Sequence, residues 1–185
     1  ALDMSIEARG LFQRFNNQDM LVDNLNYAVG ILVGHGHFED ALATVAEAEK
    51  IAIEINNVWN QASSKSRLGT IYQELGLFAK AIEASKQCIS LSEQADAMLY
   101  LLFGHMQLAY VHLACNQLGV ANEALDSVFS FDLSHEYLFK NAKALESWVR
   151  LKQGNLEQAQ QSWGELELKS EDFNGEIISL VYDKS

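Results

Sequence analysis

Apolar positions along this chain recur in helical steps, and the clearest example is "LGTIYQELGLFAKAI", Leu68 to Ile82. Leu68, Ile71, Tyr72 and Leu75 fall on one face of a helix. Gly76 stands where a glycine closes a last turn, and a second amphipathic segment opens at Phe78. The pattern predicts two helices joined by a tight turn. It also recurs: "GHFEDAL" at Gly36–Leu42 matches "GLFAKAI" at Gly76–Ile82, a step of 40 residues. The same step links Asn16, Asn56 and Asp96, then Ala28, Leu68 and Leu108, and also Ala1-Leu2, Ala41-Leu42 and Ala81-Ile82. Later copies drift. "GVANEAL" begins at Gly119, 43 beyond Gly76, and "GNLEQAQ" begins at Gly154, 35 further on. Leu108-Ala109 keeps step with Leu68-Gly69, so the sequence places about three extra residues, nearly a helical turn, between His112 and Gly119. A shortened connection is expected around Phe131–Glu136. Small residues at Gly69 and Ala81 should let paired helices approach closely, and Asn16-Asn17 and Asn56-Asn57 should mark turns between copies.

Leu68-Gly69, Tyr72, Gly76, Phe78 and Ala81 together resemble the tetratricopeptide (TPR) pattern of Leu-Gly, Tyr, Gly, aromatic and Ala. The resemblance is strong in this copy, fair in the one before it and weaker in the two after it. The copies depart from the pattern in their period of 40 rather than 34, in Lys65 standing where the family has tryptophan, and in lacking a closing proline. Long copies of this kind, with "AEKIAIEINN" followed by "LGTIYQELG", look like those of MalT-like bacterial regulators and other multidomain signalling proteins.

The fold expected is therefore all-α, a right-handed TPR-like superhelix of about four antiparallel helix pairs. The expected divisions of this single solenoid are a partial repeat at 1–16, repeats at 17–56, 57–96, 97–133 and 134–170, and a terminal helix at 171–185. That last segment carries Ile177, Ile178, Val181 and Tyr182, and reads as a cap or the start of another copy. Because Ala1, Leu2 and Ala8 align with a second helix and the first residue is not Met, the chain is expected to be a fragment of a longer protein.

Composition narrows the function. The chain is 49% apolar and 21% charged, with no proline and a net charge of −12. Between Lys86 and Lys140 there is no Lys or Arg, while Glu93, Asp96, Glu123, Asp126, Asp132 and Glu136 remain. Such a surface repels phosphates and argues against nucleic-acid binding. Cys88 and Cys115 are too few for a disulfide scaffold and read as two buried free thiols in a reducing, cytoplasmic setting. No signal-peptide order begins the chain. The uncharged run Ala97–Cys115 is interrupted by Gly104, His105, Gln107 and His112, so it reads as a buried helix rather than a membrane span.

Candidate chemistry is sparse. The "GHGHFED" glycines follow a helix and do not fit a dinucleotide loop, and no hydrolase, zinc-protease or C-x-x-C motif occurs. His105, His112 and Cys115 share nearly one helical face, but His112 aligns with Tyr72 and Leu32, a packing position. No metal or cofactor is expected, and no enzyme. His35 and His37 are expected in solvent; Trp59, Trp148 and Trp163 are expected in the core. What the TPR resemblance implies is a groove lined by the first helices of the pairs. Carried over, its rungs are Asp23, Ser63 and Phe103; Asn26, Ser66 and Met106; Tyr27, Arg67 and Gln107; and Gly30, Thr70 and Tyr110. The residues expected to bind a partner are Asn26, Tyr27, Ser66, Arg67, Thr70, Phe103, Gln107 and Tyr110, a mixture of hydrogen-bonding and aromatic groups suited to a peptide or partner helix. The function implied is protein–protein interaction, scaffolding or signal sensing within a larger regulator, of transcription for instance. The alternative is a groove sensing a short peptide or small molecule. Exposed terminal repeats offer a route to a homodimer.

Overall fold

A computed structural model describes residues 2–131 and 136–166. They form helices α1 (Leu2–Arg14), α2 (Gln18–Gly34), α3 (Phe38–Glu54), α4 (Val58–Glu74), α5 (Phe78–Ala95), α6 (Met98–Ala114), α7 (Leu118–Phe129), α8 (Glu136–Lys152) and α9 (Leu156–Gly164), with no strand among the described residues. The fold is all-α. The terminal helix expected at 171–185 lies outside the described residues.

One turn type recurs at seven of the connections between these helices. A left-handed residue stands at Asn16, Gly36, Asn56, Gly76, Asp96 and Asn116, a spacing of 20, and again at Gly154. Glycine adopts this conformation freely and Asn or Asp tolerates it better than other side chains. At each, the next amide reaches back five residues: His37 N to Leu32 O at 2.9 Å, Leu77 N to Tyr72 O at 2.8 Å, Gln117 N to His112 O at 2.8 Å. This bond satisfies a carbonyl that the helix end would otherwise leave open. Asn17 and Asn57 then cap the following helix, their side chains accepting from Met20 N at 3.2 Å and Asn60 N at 3.0 Å. Such short connections make neighbouring helices antiparallel.

The third pair corrects the sequence alignment. Its left-handed turn residue is Asn116, 40 beyond Gly76, whereas Gly119 lies inside α7. Buried and exposed positions run identically along 71–90 and 111–130. No residues are inserted before α7; Asn116 occupies the position where the sequence comparison sought a glycine. The residue equivalent to Ala41 and Ala81 is accordingly Ala121, and all three are fully buried. The departure from period comes later, because α7 is shorter than α3 and α5.

By packing, the chain divides into two units, Ala1–Gln107 and Leu108–Ser185. In the first, α2 packs on α3, α4 on α5, and α2 on α4. Leu21, Val22 and Leu25 of α2 meet Ala48 and Ala52 of α3, with Phe12 and Ile51 against them. Val29 and Leu32 meet Ala41, Val45 and Ile71. The alanines keep the paired helices close. In the second unit α8 packs on α7 and α9.

Candidate functional site

The first helices of the repeats in the first unit are α2, α4 and the part of α6 up to Gln107. Their facing sides are polar and bonded to one another. Asn26 Nδ2 donates to Ser63 Oγ and Ser64 Oγ, each at 3.1 Å. Gln107 Nε2 donates to Ser66 O at 2.8 Å and Thr70 Oγ1 at 2.9 Å, while its Oε1 accepts from Ser85 Oγ at 3.1 Å. Asn26, Ser63, Ser64 and Ser66 are buried. They form a floor whose bonds run from helix to helix, so direct contact with a partner falls to the residues above it.

Those residues are largely aromatic. Trp59 is 39% exposed and meets Tyr100 edge-on, ring centroids 4.8 Å apart at 76°. Tyr100 in turn lies 6.2 Å from Phe103. Burial raises the Tyr100 pKa, against a hydrogen bond from Ser63 and the nearby Arg67 charge, so this ring stays a neutral phenol. Asp23, on the same face of α2, also has a raised pKa, through burial first and the charge of Asp19 second. A Cβ added at Gly30 would lie 3.4 Å from an Arg67 guanidinium nitrogen, an ordinary contact distance, so the Arg67 side chain lies against α2 at this glycine. Tyr27, one helical turn before Gly30, is 57% exposed. The surface thus offers aromatic rings, one guanidinium and one carboxylate above a rigid floor.

Of the residues singled out from sequence, the structure joins Ser66, Thr70 and Gln107 directly and buries Asn26 beside Ser63. It leaves Tyr27 accessible and Arg67 and Phe103 half-buried. Tyr110 belongs to the second unit, where its ring stands 6.1 Å from Trp148 at 72°. Trp59 and Tyr100 were missed. A signal existed: Trp59 is one repeat before Leu99 and one after Asp19, so the character of this position changes from copy to copy, unlike that of the packing positions. Trp163 is exposed too, so two of the three tryptophans expected in the core lie at the surface.

The thiols differ from expectation in the same way. Cys88 is buried and Cys115 exposed. Burial pushes the Cys88 pKa up to about 11, outweighing bonds with Ser92 and Ser66, so it is a packing group and no nucleophile at neutral pH. His112 Nδ1 is 2.7 Å from Gln117 Oε1, and among the described residues no three His, Cys, Asp or Glu side chains gather into a metal site.

The second unit contains a cleft of about 490 Å³ between α8 and α9. Trp148, Leu151, Leu156 and Trp163 wall it, and Ser147, whose buried hydroxyl has no hydrogen-bond partner among the described residues, belongs to its lining.

Repeated helix pairs with a recurring turn, small residues at their crossings and a polar face along their first helices define a helical-repeat domain. The family model for the tetratricopeptide repeat matches residues 62–94, from the second turn of α4 through nearly all of α5. The chain is a TPR-like helical-repeat domain. No curated protein matches it. Among the described residues no helix is long and apolar enough to cross a membrane.

Proposed function

We propose that the face made by α2, α4 and the first part of α6 docks an extended peptide or a helix of a partner protein, within a larger cytoplasmic regulatory protein and without catalysis. The observation that carries this reading is the Trp59–Tyr100–Phe103 ledge, partly exposed above a buried hydrogen-bonded floor. Rings held from beneath lose little freedom when a partner covers them, and interface energy concentrates in such residues. Arg67 adds a planar group able to take a carboxylate in two parallel bonds, and Tyr27 extends the aromatic area. Net negative charge around this guanidinium disfavours anions elsewhere, which makes it a point of selectivity.

Peptides selected from a randomised phage library against this chain supply the test. Calorimetric titration should show Trp59→Ala and Phe103→Ala each weakening the selected peptide at least about tenfold, near 1.4 kcal/mol, with circular dichroism unchanged. Arg67→Ala should cost about 1.5 kcal/mol or more against a peptide that supplies a carboxylate. Undiminished affinity in the two aromatic variants removes this face as the site.

A second reading, a sensor for a small apolar ligand, has the α8–α9 cleft in its favour. Its walls are aromatic and its volume lies within the range of small-molecule sites. Ligands bound there should be displaced by Trp163→Ala and indifferent to Trp59→Ala.

A further inference from the structure

Asp19 and Asp23 stand one turn apart on α2, and the fold leaves both without a cation. Carboxylates elsewhere are paired: Glu47 with Arg9, Glu49 with Lys65, Glu54 with Lys50, Glu146 with Lys143. Among the described residues neither Asp19 nor Asp23 has a Lys or Arg partner. Asp19 accepts from a neutral amide, Asn57 Nδ2 at 2.8 Å. Burial first, and the like charge of Asp19 second, raise the Asp23 pKa, as expected of a carboxylate with no cation beside it. Trp59 adjoins this pair, because Asn57 is the cap of its helix. Tyr100 meets Trp59 edge-on, bonds Ser63 and lies within the field of Asp23. Asn60 precedes Tyr100 by one repeat. The geometry that sets Tyr100 against Trp59 and Ser63 therefore sets Asn60 against their equivalents one copy earlier, Asp19 and Asp23. Asn60 is buried, and its Oδ1 has no hydrogen-bond partner among the described residues. Two carboxylates and an unmet amide oxygen thus gather beside an exposed indole.

The exposure belongs to the face itself. Helix α4 has α2 on one side and α6 on the other, yet Trp59 stays 39% exposed. Asp19 bonds the cap of α4, so it lies on the side where α2 has its neighbour. A lysine or arginine side chain fits this place. Its charge answers both carboxylates, its N–H groups are donors where acceptors are in excess, and an indole face attracts a cation. The net charge of −12 draws such a group in from a distance. Arg67 lies eight residues beyond Trp59, about 12 Å along the axis of α4, where salt screens its repulsion. No metal site fits, since among the described residues no third His, Cys, Asp or Glu joins the pair. Resting on the docking face proposed above, we infer that Asp19 and Asp23 with Trp59 form a subsite for one lysine or arginine side chain, which makes the docked partner segment basic.

Two phage libraries, one fully randomised and one lacking Lys and Arg, test it when each is selected against the whole 185-residue chain. The selected peptides are synthesised with acetylated N-termini and titrated by calorimetry. The first library should yield peptides with Lys or Arg at one recurring position, and the second only peptides at least about tenfold weaker. Replacing that Lys by norleucine, or that Arg by citrulline, should weaken binding at least about tenfold. Asp19→Asn combined with Asp23→Asn should do the same with circular dichroism unchanged, since Asn keeps an acceptor for Asn57. Peptide and protein changes together should cost no more than about threefold beyond either alone, because they remove one contact from its two ends. Peptides weakened by Trp59→Ala and Phe103→Ala but indifferent to the Asp19 and Asp23 changes overturn the subsite and leave the docking face standing. So do fully additive losses, or equally strong peptides from the library lacking Lys and Arg. Peptides untouched by Trp59→Ala and Phe103→Ala, or no peptide from either library, remove the docking face and the subsite with it.

Discussion

Gly69→Ala should destabilise this protein even though it replaces the poorer helix former, and the sign should reverse once Gln107 is removed. In an isolated helix the change gains about 1 kcal/mol. Here the new Cβ would stand 2.5 Å from Gln107 Oε1 and 3.2 Å from its Cδ, with Ser85 Oγ at 3.3 Å. The first distance is shorter than any real Cβ contact and the other two are tight, so the Gln107 amide has to move away. It then loses its bonds to Ser66 O, Thr70 Oγ1 and Ser85 Oγ. Three net contributions of about 0.5–1.5 kcal/mol each are at stake. The loss should sit near the low end, because both hydroxyls keep another partner: Ser85 donates to Ala81 O at 2.8 Å and Thr70 to Ser66 O at 3.2 Å. A loss of about 1.5–2 kcal/mol against a gain of about 1 leaves Gly69→Ala less stable by about 0.5–1 kcal/mol. In a Gln107→Ala background the obstruction is gone and the same change should stabilise by nearly 1 kcal/mol. Urea unfolding followed by circular dichroism, with the slope checked for constancy, measures both legs of this cycle. Effects that add to within about 0.5 kcal/mol, or a stabilised Gly69→Ala single variant, would refute the claim that Gly69 is small to seat the Gln107 amide.

Ala81→Leu should overpack the α4–α5 crossing and cost about 1–3 kcal/mol, and Ala121→Leu should do the same at its own crossing; an unchanged melting temperature would count against either crossing. Gly119→Ala should stabilise by up to about 1 kcal/mol because Gly119 is helical, while Asn116→Gly should stabilise by a few tenths or more because Asn116 holds φ of 58°; the opposite signs would restore the three-residue insertion. A water-soluble disulfide reagent should titrate Cys115 in the folded protein and Cys88 only on unfolding, so two equally fast thiols would show that the burial of Cys88 is misjudged. Burial lowers the His105 pKa from its ordinary 6.5, against a smaller opposing effect of Glu93. The unfolded chain therefore takes up this proton first, and the stability His105 contributes is whole above pH 6.5 and declines as pH falls toward the depressed folded value. His105→Asn should flatten the urea midpoint between pH 6.5 and 5, and a slope unchanged by that substitution would show that another group titrates there.

The period was readable because the left-handed turn restricts its occupant to a few residue types. Gly36 and Gly76 announce it, as do Asn16, Asn56 and Asp96. Asn116 does not, because a second allowed residue fills the same conformation and a helical glycine three residues later offers a rival alignment. The ambiguity disappears in three dimensions, where only Asn116 has positive φ. The polar rungs raise a different difficulty. Ser63, Ser64 and Ser66 carry side chains that sequence reasoning assigns to solvent, and only the approach of α2 and α6 to α4 turns them into a buried floor. Burial there depends on inter-helix distance, which no single helix pattern encodes.

Comparing equivalent positions across copies, rather than reading each helix alone, leads to the proposed site. Packing positions keep their character along the chain: Ala41, Ala81 and Ala121 do not change, because the crossing they occupy does not change. Asp19, Trp59 and Leu99 are equivalent and all exposed, yet chemically unrelated. Asp23, Ser63 and Phe103 likewise run from charged to hydroxyl to aromatic along one rung. A scaffold needs none of this variety, since an exposed helix position is satisfied by any polar residue. Placing a tryptophan in water at Trp59, supporting it edge-on by Tyr100 and continuing the row with Phe103 costs solubility and adds little to the core. Such an arrangement is favourable only when something covers it, which is why the departures from the repeat, and not the repeat itself, locate the surface where a partner is expected.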